Sequence, residues 1–182
     1  VSYDVLDRMT SVTDPAGNAF VMTYDAKGNL LTMKDRKNNT TSLGYDALDR
    51  VILITNALNQ NTSVTYDARS NVLSVTDANG NVNKSTYDHL NRLLTSMNGN
   101  NELTQYSYDG RGNVTSLNLP NGNAISMTYD KLNQLIQVSD NIGEFVSYTY
   151  DNIGNILSVK DANGNSTDFN YDALSRKTAV SD

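Results

Sequence analysis

The sequence predicts an all-β fold: one continuous antiparallel meander of 21-residue β-hairpin repeats, arranged as a curved strip or partial hollow shell. Three observations carry that prediction. First, a Tyr-Asp pair recurs at a fixed interval of 21 residues, without insertion or deletion. Second, two chemically similar turn signals alternate within every repeat. Third, the segments between them alternate apolar and small polar residues with a period of two, the pattern of a strand. A fixed period in the range of roughly 20–50 residues is the signature of a repeat architecture.

The Tyr-Asp pairs are Tyr3-Asp4, Tyr24-Asp25, Tyr45-Asp46, Tyr66-Asp67, Tyr87-Asp88, Tyr108-Asp109, Tyr129-Asp130, Tyr150-Asp151 and Tyr171-Asp172. Each opens the first turn of its repeat, as in Asp25-Ala26-Lys27-Gly28-Asn29 and Asp151-Asn152-Ile153-Gly154-Asn155. The second turn reads Asp14-Pro15-Ala16-Gly17-Asn18, Asp77-Ala78-Asn79-Gly80-Asn81 or Asp161-Ala162-Asn163-Gly164-Asn165. A type I turn favours Asp at its first position, accepts Pro at the second and favours Gly at the fourth. The Asp side chain accepts a hydrogen bond from a backbone N–H two residues on, and Gly supplies a positive φ. Gly17, Gly28, Gly80, Gly112, Gly154 and Gly164 are therefore the turn glycines. A type I turn followed by a left-handed residue is the three-residue hairpin loop with a bulge. The two turns alternate at spacings of 10 and 11 residues, so one repeat is one hairpin.

The outgoing strand carries one apolar column at Val12, Met33, Ile54, Val75, Leu117, Val138 and Val159. A second, two residues earlier, includes Leu31, Ile52, Leu73, Leu94, Ile136 and Leu157. By simple alternation these two share a face. In the returning strand the residue two before each Tyr is Met22, Leu43, Val64, Ser85, Tyr106, Met127, Tyr148 or Phe169. A third column breaks the alternation: Met9, Leu30, Val51, Val72, Leu93, Val114, Leu135 and Ile156 are apolar and fall on the opposite face unless a bulge shifts the register by one. The sequence leaves open which column lies opposite the Tyr. About seventeen strands of six to seven residues are expected.

A 42-residue period lies over the shorter one. Odd repeats read Leu6-Asp7-Arg8, Leu48-Asp49-Arg50, Leu90-Asn91-Arg92, Leu132-Asn133-Gln134 and Leu174-Ser175-Arg176. Even repeats carry Gly28-Asn29, Ser70-Asn71, Gly112-Asn113 and Gly154-Asn155 at that place. The unit is thus a pair of non-equivalent hairpins, which implies either that successive hairpins meet different surroundings or that a pair was recently duplicated. Residues 1–182 form a single array of about nine repeats, and a chain that starts at Val1-Ser2-Tyr3 and stops at Asp182 reads as a piece of a longer array.

The net charge of −6, with Lys and Arg scattered, argues against a nucleic-acid or anionic-membrane surface. No apolar run reaches the roughly 18 residues of a membrane-spanning helix. The absence of cysteine excludes disulfides and thiolate metal sites.

The pattern Tyr150-Asp151-Asn152-Ile153-Gly154-Asn155-Ile156, followed by Val159-Lys160-Asp161-Ala162-Asn163-Gly164-Asn165, resembles the YD-repeat or Rhs-repeat family. That family includes Rhs polymorphic toxins, Tc toxin C components, wall-associated proteins and teneurins. The resemblance covers the whole chain. It implies one long antiparallel strip spiralling into a hollow shell, which in the toxins encloses a C-terminal toxic domain. It also implies a secreted or cell-surface location, in a bacterium for the toxins. The partners implied are the remainder of the same shell and an enclosed toxin domain. The toxins end their shell in a self-cleaving Asp-Pro-x-Gly segment. Asp14-Pro15-Ala16-Gly17 has the bare string but occupies an ordinary repeat turn, so self-cleavage is not expected.

The residues themselves point away from chemistry. Equivalent columns two strands apart lie roughly 10 Å from each other, beyond the roughly 5–9.5 Å of paired catalytic carboxylates. The Asp column therefore caps turns, and the Tyr column fills space with a hydroxyl able to find a partner. Asp77 to Asn81 resembles the start of a calcium loop, but the twelfth position is Asp88 rather than Glu. His89 is the single histidine and lacks a partner for general-base work. The expectation is a structural shell or scaffold segment, not an enzyme, with no catalytic residue, cofactor or metal. Two alternatives from other classes are a self-assembling fibre or tube, built through its unpaired sheet edges, and a glycan-binding adhesin module using exposed Tyr.

Overall fold

A computed structural model describes residues 1–141 and 143–182. Among these the secondary structure is entirely strand and turn, and the strands follow one antiparallel meander. The strands are β1 (Ser2–Tyr3), β2 (Met9–Thr13), β3 (Ala19–Tyr24), β4 (Leu30–Lys34), β5 (Thr40–Tyr45) and β6 (Val51–Thr55). They continue as β7 (Asn61–Tyr66), β8 (Val72–Thr76), β9 (Val82–Tyr87), β10 (Leu93–Met97), β11 (Leu103–Tyr108) and β12 (Val114–Asn118). The last are β13 (Ala124–Tyr129), β14 (Leu135–Asp140), β15 (Glu144–Tyr150), β16 (Ile156–Asp161), β17 (Ser166–Tyr171) and β18 (Lys177–Ser181). Among the described residues eighteen strands stand where about seventeen are expected, and most have five or six residues because the turns absorb five positions each. The chain divides into two compact units, Val1–Thr86 with Asn98–Asn100, and Tyr87–Met97 with Asn101–Asp182.

Every returning strand ends on its Tyr, and from Tyr24 onward the register slips at seven of these tyrosines. In the first unit Met22 pairs with Met33 and Thr23 with Thr32, but Tyr24 pairs with Leu30, so Leu31 is the extra residue of a bulge. The slip recurs at Tyr45 and Tyr66, and in the second unit at Tyr108, Tyr129, Tyr150 and Tyr171. One extra residue moves everything beyond it to the other face. The Leu30 column thus joins Met22, Met33 and Tyr24 on one face, hereafter the tyrosine face. The Leu31 column, which simple alternation put beside Met33, is turned to the opposite face. There Leu31, Ile52, Leu73 and Leu157 are exposed, each between 36% and 39%.

Among the described residues Met22 is the one buried hydrophobic side chain. The meander is held by pairing and turn chemistry more than by a core. Fifteen of the turns among the described residues share one geometry. In the Asp77–Asn81 turn, Gly80 donates its N–H to the Asp77 carbonyl at 3.0 Å, and Asp77 donates to the Asn81 carbonyl at 2.9 Å. The residue before the last is left-handed: Gly80 has φ 85°, and Asp7, Asn38, Asp49, Asn59, Ser70, Asn91, Asn101, Asn133 and Ser175 lie between 58° and 69°. Asn and Asp tolerate this region and β-branched residues do not.

A Cβ added at Gly80 meets no atom within 4 Å, so a substitution there feels only the backbone. Gly80→Asn is expected to cost less than about 0.5 kcal/mol, and Gly80→Val about 1–2 kcal/mol or more. Urea unfolding midpoints of the two variants check this; equal midpoints would overturn the turn assignment.

Candidate functional site

The densest polar chemistry lies along the column of first turns. Each Tyr-Asp pair contributes an Asp that caps its own turn. In Asp46–Arg50, the Asp46 Oδ1 accepts the N–H groups of Leu48 at 2.9 Å and Arg50 at 3.1 Å. Its Oδ2 accepts Arg50 Nε at 2.7 Å. In an even turn the second oxygen accepts an Asn side chain instead, as Asp25 Oδ2 does from Asn29 Nδ2 at 2.9 Å. The same backbone capping is made by Asp4, Asp67, Asp88, Asp109, Asp130, Asp151 and Asp172. Second turns use Asp14, Asp35, Asp77 and Asp161 in this way, and Asn56 does it without a charge.

The Tyr of each pair reaches sideways. Tyr24 donates its hydroxyl to the Met9 carbonyl at 2.9 Å, Tyr45 to Leu30 at 2.8 Å and Tyr66 to Val51 at 2.9 Å. In the second unit Tyr108, Tyr129, Tyr150 and Tyr171 donate to Leu93, Val114, Leu135 and Ile156 at 2.7–3.0 Å. The acceptors are the apolar column that broke the alternation. The β2–β3 ladder runs only from Ser11↔Val21 to Thr13↔Ala19, so the Met9 carbonyl lies beyond it and the phenol takes the place of a strand partner. Each such neutral bond contributes about 1 kcal/mol.

The 42-residue period has its cause here. Arg8, Arg50 and Arg92 each stretch from an odd turn to the next even one. Arg50 Nη1 donates to the Asp67 carbonyl at 2.9 Å and to Ser70 Oγ at 3.2 Å, and its guanidinium lies 4.5 Å from the centre of the Tyr66 ring. Arg8 does the same to Asp25 and Tyr24, and Arg92 to Asp109 and Tyr108. A planar fork that bonds a carboxylate, a carbonyl and a ring face is chemistry that Arg supplies and Lys does not. The Arg8 Nη1 lies 3.7 Å from a Cβ built on Gly28, an ordinary contact, so the left-handed backbone at φ 101° is what favours glycine in the even turn. From even to odd the link differs. Asn29 Nδ2 and Lys27 Nζ both donate to Asp49 Oδ1, at 2.9 Å and 2.8 Å, and Asn113 donates to Asn133. Polar side chains in the left-handed positions of odd turns are therefore acceptors. These lateral links escaped the sequence reading, although the alternation of Arg with Gly-Asn was their signal.

The remaining candidates are dispersed. His89 is exposed in its turn, and no cluster of metal-ligating side chains occurs among the described residues. Asp14-Pro15-Ala16-Gly17 closes with the same bonds as its neighbours, Asp14 to Asn18 at 3.0 Å and Gly17 to Asp14 at 3.0 Å. Among the described residues no helix is long and apolar enough to cross a membrane.

The RHS Repeat family matches residues 24–60, 129–159 and 150–182, together half of the chain. The chain belongs to the RHS-repeat family. The Teneurin YD-shell description also matches this RHS-repeat chain, over residues 55–140. No curated protein sequence matches it. Among solved structures it is similar to the Photorhabdus luminescens Tc holotoxin pore, at 22% identity and TM-score 0.68 over 91% of this chain. It is also similar to the TcdB2-TccC3-Cdc42 complex, at 23% identity and TM-score 0.68 over 88%, and to TcdB2-TccC3, at 23% and 0.65 over 84%. At such identities the likeness is one of fold. The RHS-repeat chain spans 10% of the length of each of these structures' chains.

Two predictions follow from the turn column. Arg50→Gln is expected to lower stability by about 1–2 kcal/mol, and Gln134→Arg to raise it by about 1 kcal/mol by linking its turn to Tyr150 and Asp151. Denaturant midpoints, with hydrogen exchange in residues 67–71 for the first, measure both. The capping carboxylates also carry a pH dependence. The Asn81 side-chain bond holds Asp77 below 3.8, and the Arg50 side-chain bond does the same for Asp46. Lowered pKa values mean that the folded state holds fewer protons. Their stabilisation is complete above 3.8 and is lost as pH falls through the lower folded values. Unfolding midpoints should be flat from about pH 7 to about pH 5 and fall steeply below about pH 4.

Proposed function

We propose that this RHS-repeat chain is a structural segment of a YD-repeat shell, a stretch of wall in a larger secreted bacterial protein. On this reading the wall surrounds a toxin domain carried C-terminally on the same polypeptide. Its partners are then the rest of its own shell and that enclosed domain, and it has no reaction of its own to perform. The observation that carries the reading is the single-layer construction: with Met22 alone buried among the described residues, the stabilising groups tie hairpin to hairpin instead of sealing a core. A layer of this kind forms a surface. Membership of the RHS-repeat family and the fold shared with Tc toxin structures support the same assignment.

The test uses the parent polypeptide. Limited trypsin digestion should spare the domain that follows the repeats in the wild type. It should degrade that domain once Tyr45→Ala and Tyr66→Ala together open the array. Equal digestion in both proteins would overturn the enclosure. Further repeats leading to a surface anchor would favour a fibre or adhesin stalk.

A further inference from the structure

A repeat array allows every position to be compared with its equivalents, and residues that break the pattern stand out. Phe20 occupies a column otherwise filled by Thr41, Thr62, Asn83, Thr104, Ile125, Val146 and Thr167. Arg36-Lys37 occupies the middle of a second turn whose equivalents include Pro15-Ala16, Ala57-Leu58, Ala78-Asn79, Gly99-Asn100, Pro120-Asn121 and Ala162-Asn163. No other turn of this kind carries a charge at either place. These departures belong to different hairpins, yet they line one concavity of about 620 Å³ within the first unit, together with Val12, Asp35 and Asn39.

The lining is chemically lopsided. Val12 and Phe20 are direct cross-strand partners and form an apolar floor. Asp35 and Asn39 are occupied with the turn: Asp35 Oδ1 accepts the N–H groups of Lys37 at 2.7 Å and Asn39 at 2.9 Å, and Asn39 Nδ2 donates to Asp35 Oδ2 at 2.8 Å. The two cations are exposed, Arg36 in a long ion pair with Asp14. Arg36 Nε stands 3.9 Å from Asp14 Oδ2, and the Arg36 side chain is 54% exposed. Lys37 is exposed. The comparable concavity in the second unit, about 590 Å³, also has two cations, Arg111 and the exposed Lys131, but its Arg111 already donates to the Lys131 carbonyl and to Asn133.

We propose that the concavity over Val12 and Phe20, rimmed by Arg36 and Lys37, is a binding site for a small organic anion with an aryl or alkyl body and one carboxylate, sulfate or phosphate head. Apolar walls with a few placed charges are the usual composition of small-ligand sites, and the volume falls within their range. The body covers the Phe20 ring and the head meets the two cations. A sugar fits less well, since the neutral polar groups of the lining are already committed. The site stands apart from the shell reading, and its failure would leave that reading untouched.

The probe is phenylbutyrate, followed through the amide NMR signals of the isotope-labelled chain, with phenylbutanol as its neutral counterpart. Saturable shifts confined to residues 12, 20 and 35–39 are expected, weakening as salt is added. Phe20→Thr should weaken binding about tenfold. The pair Arg36→Ala and Lys37→Asn should weaken it about fivefold. All three replacements install residues that equivalent repeats already carry, so thermal unfolding should be unchanged. Salt dependence in the unsubstituted chain gives a reading that needs no variant. Shifts spread over the whole sheet, an absence of saturation, or equal binding of phenylbutanol would each overturn the proposal.

Discussion

The structure depends on one recurring interaction: a carboxylate at the first position of a turn accepting two N–H groups of that turn. It fixes five residues in one geometry and places a left-handed residue fourth. The five-residue turn sets where the next strand starts, and the bulge after it sets which side chains face the Tyr. From that register follow the carbonyl that the Tyr hydroxyl meets and the distance that the Arg fork spans. A displaced turn would shift all of these together, which is why the interval of 21 residues is held without exception.

Most folded chains obtain their stability from a core. Here a bulged sheet leaves Leu31, Ile52 and Leu73 exposed, and one methionine is buried among the described residues. The compensation is lateral. Tyr hydroxyls bond to carbonyls of the preceding hairpin, Arg forks bridge odd turns to even ones, and Asn amides bridge even turns to odd. Each contribution is small, about 1 kcal/mol or less. They recur at every hairpin, so stability accumulates along the array as a sum of nearest-neighbour terms.

The all-β class, the hairpin repeat and the turn positions were legible in the sequence because they are local: Tyr-Asp, Gly and alternation specify them within a few residues. The faces were less legible. Leu30 and Leu31 are adjacent apolar residues, and only the pairing of Tyr24 with Leu30 decides which of them looks toward the tyrosine face. That pairing is a property of two strands, not of either alone. The lateral bonds were harder still, because Arg50 finds its acceptor 17 residues away and its ring 16 away. The alternation of Arg50 with Asn29 and Asn71 was visible, but its physical meaning requires the distance between neighbouring turns. Asp49 in a left-handed position likewise looks like an imperfect glycine until Lys27 and Asn29 are seen bonded to it.

The alternation of links has an evolutionary corollary. A turn that presents an Arg fork meets a backbone carbonyl in the turn after it, and a turn that presents an Asn amide meets a side-chain acceptor. Removing a single hairpin would bring two turns of the same kind together: a fork would still find a backbone carbonyl, while an Asn amide facing a glycine would keep only the Asp of its own turn. Removing two leaves every junction intact. Recombination in steps of 42 codons thus preserves every lateral link and steps of 21 lose the amide links, so the pair of hairpins is the unit whose duplication conserves them all.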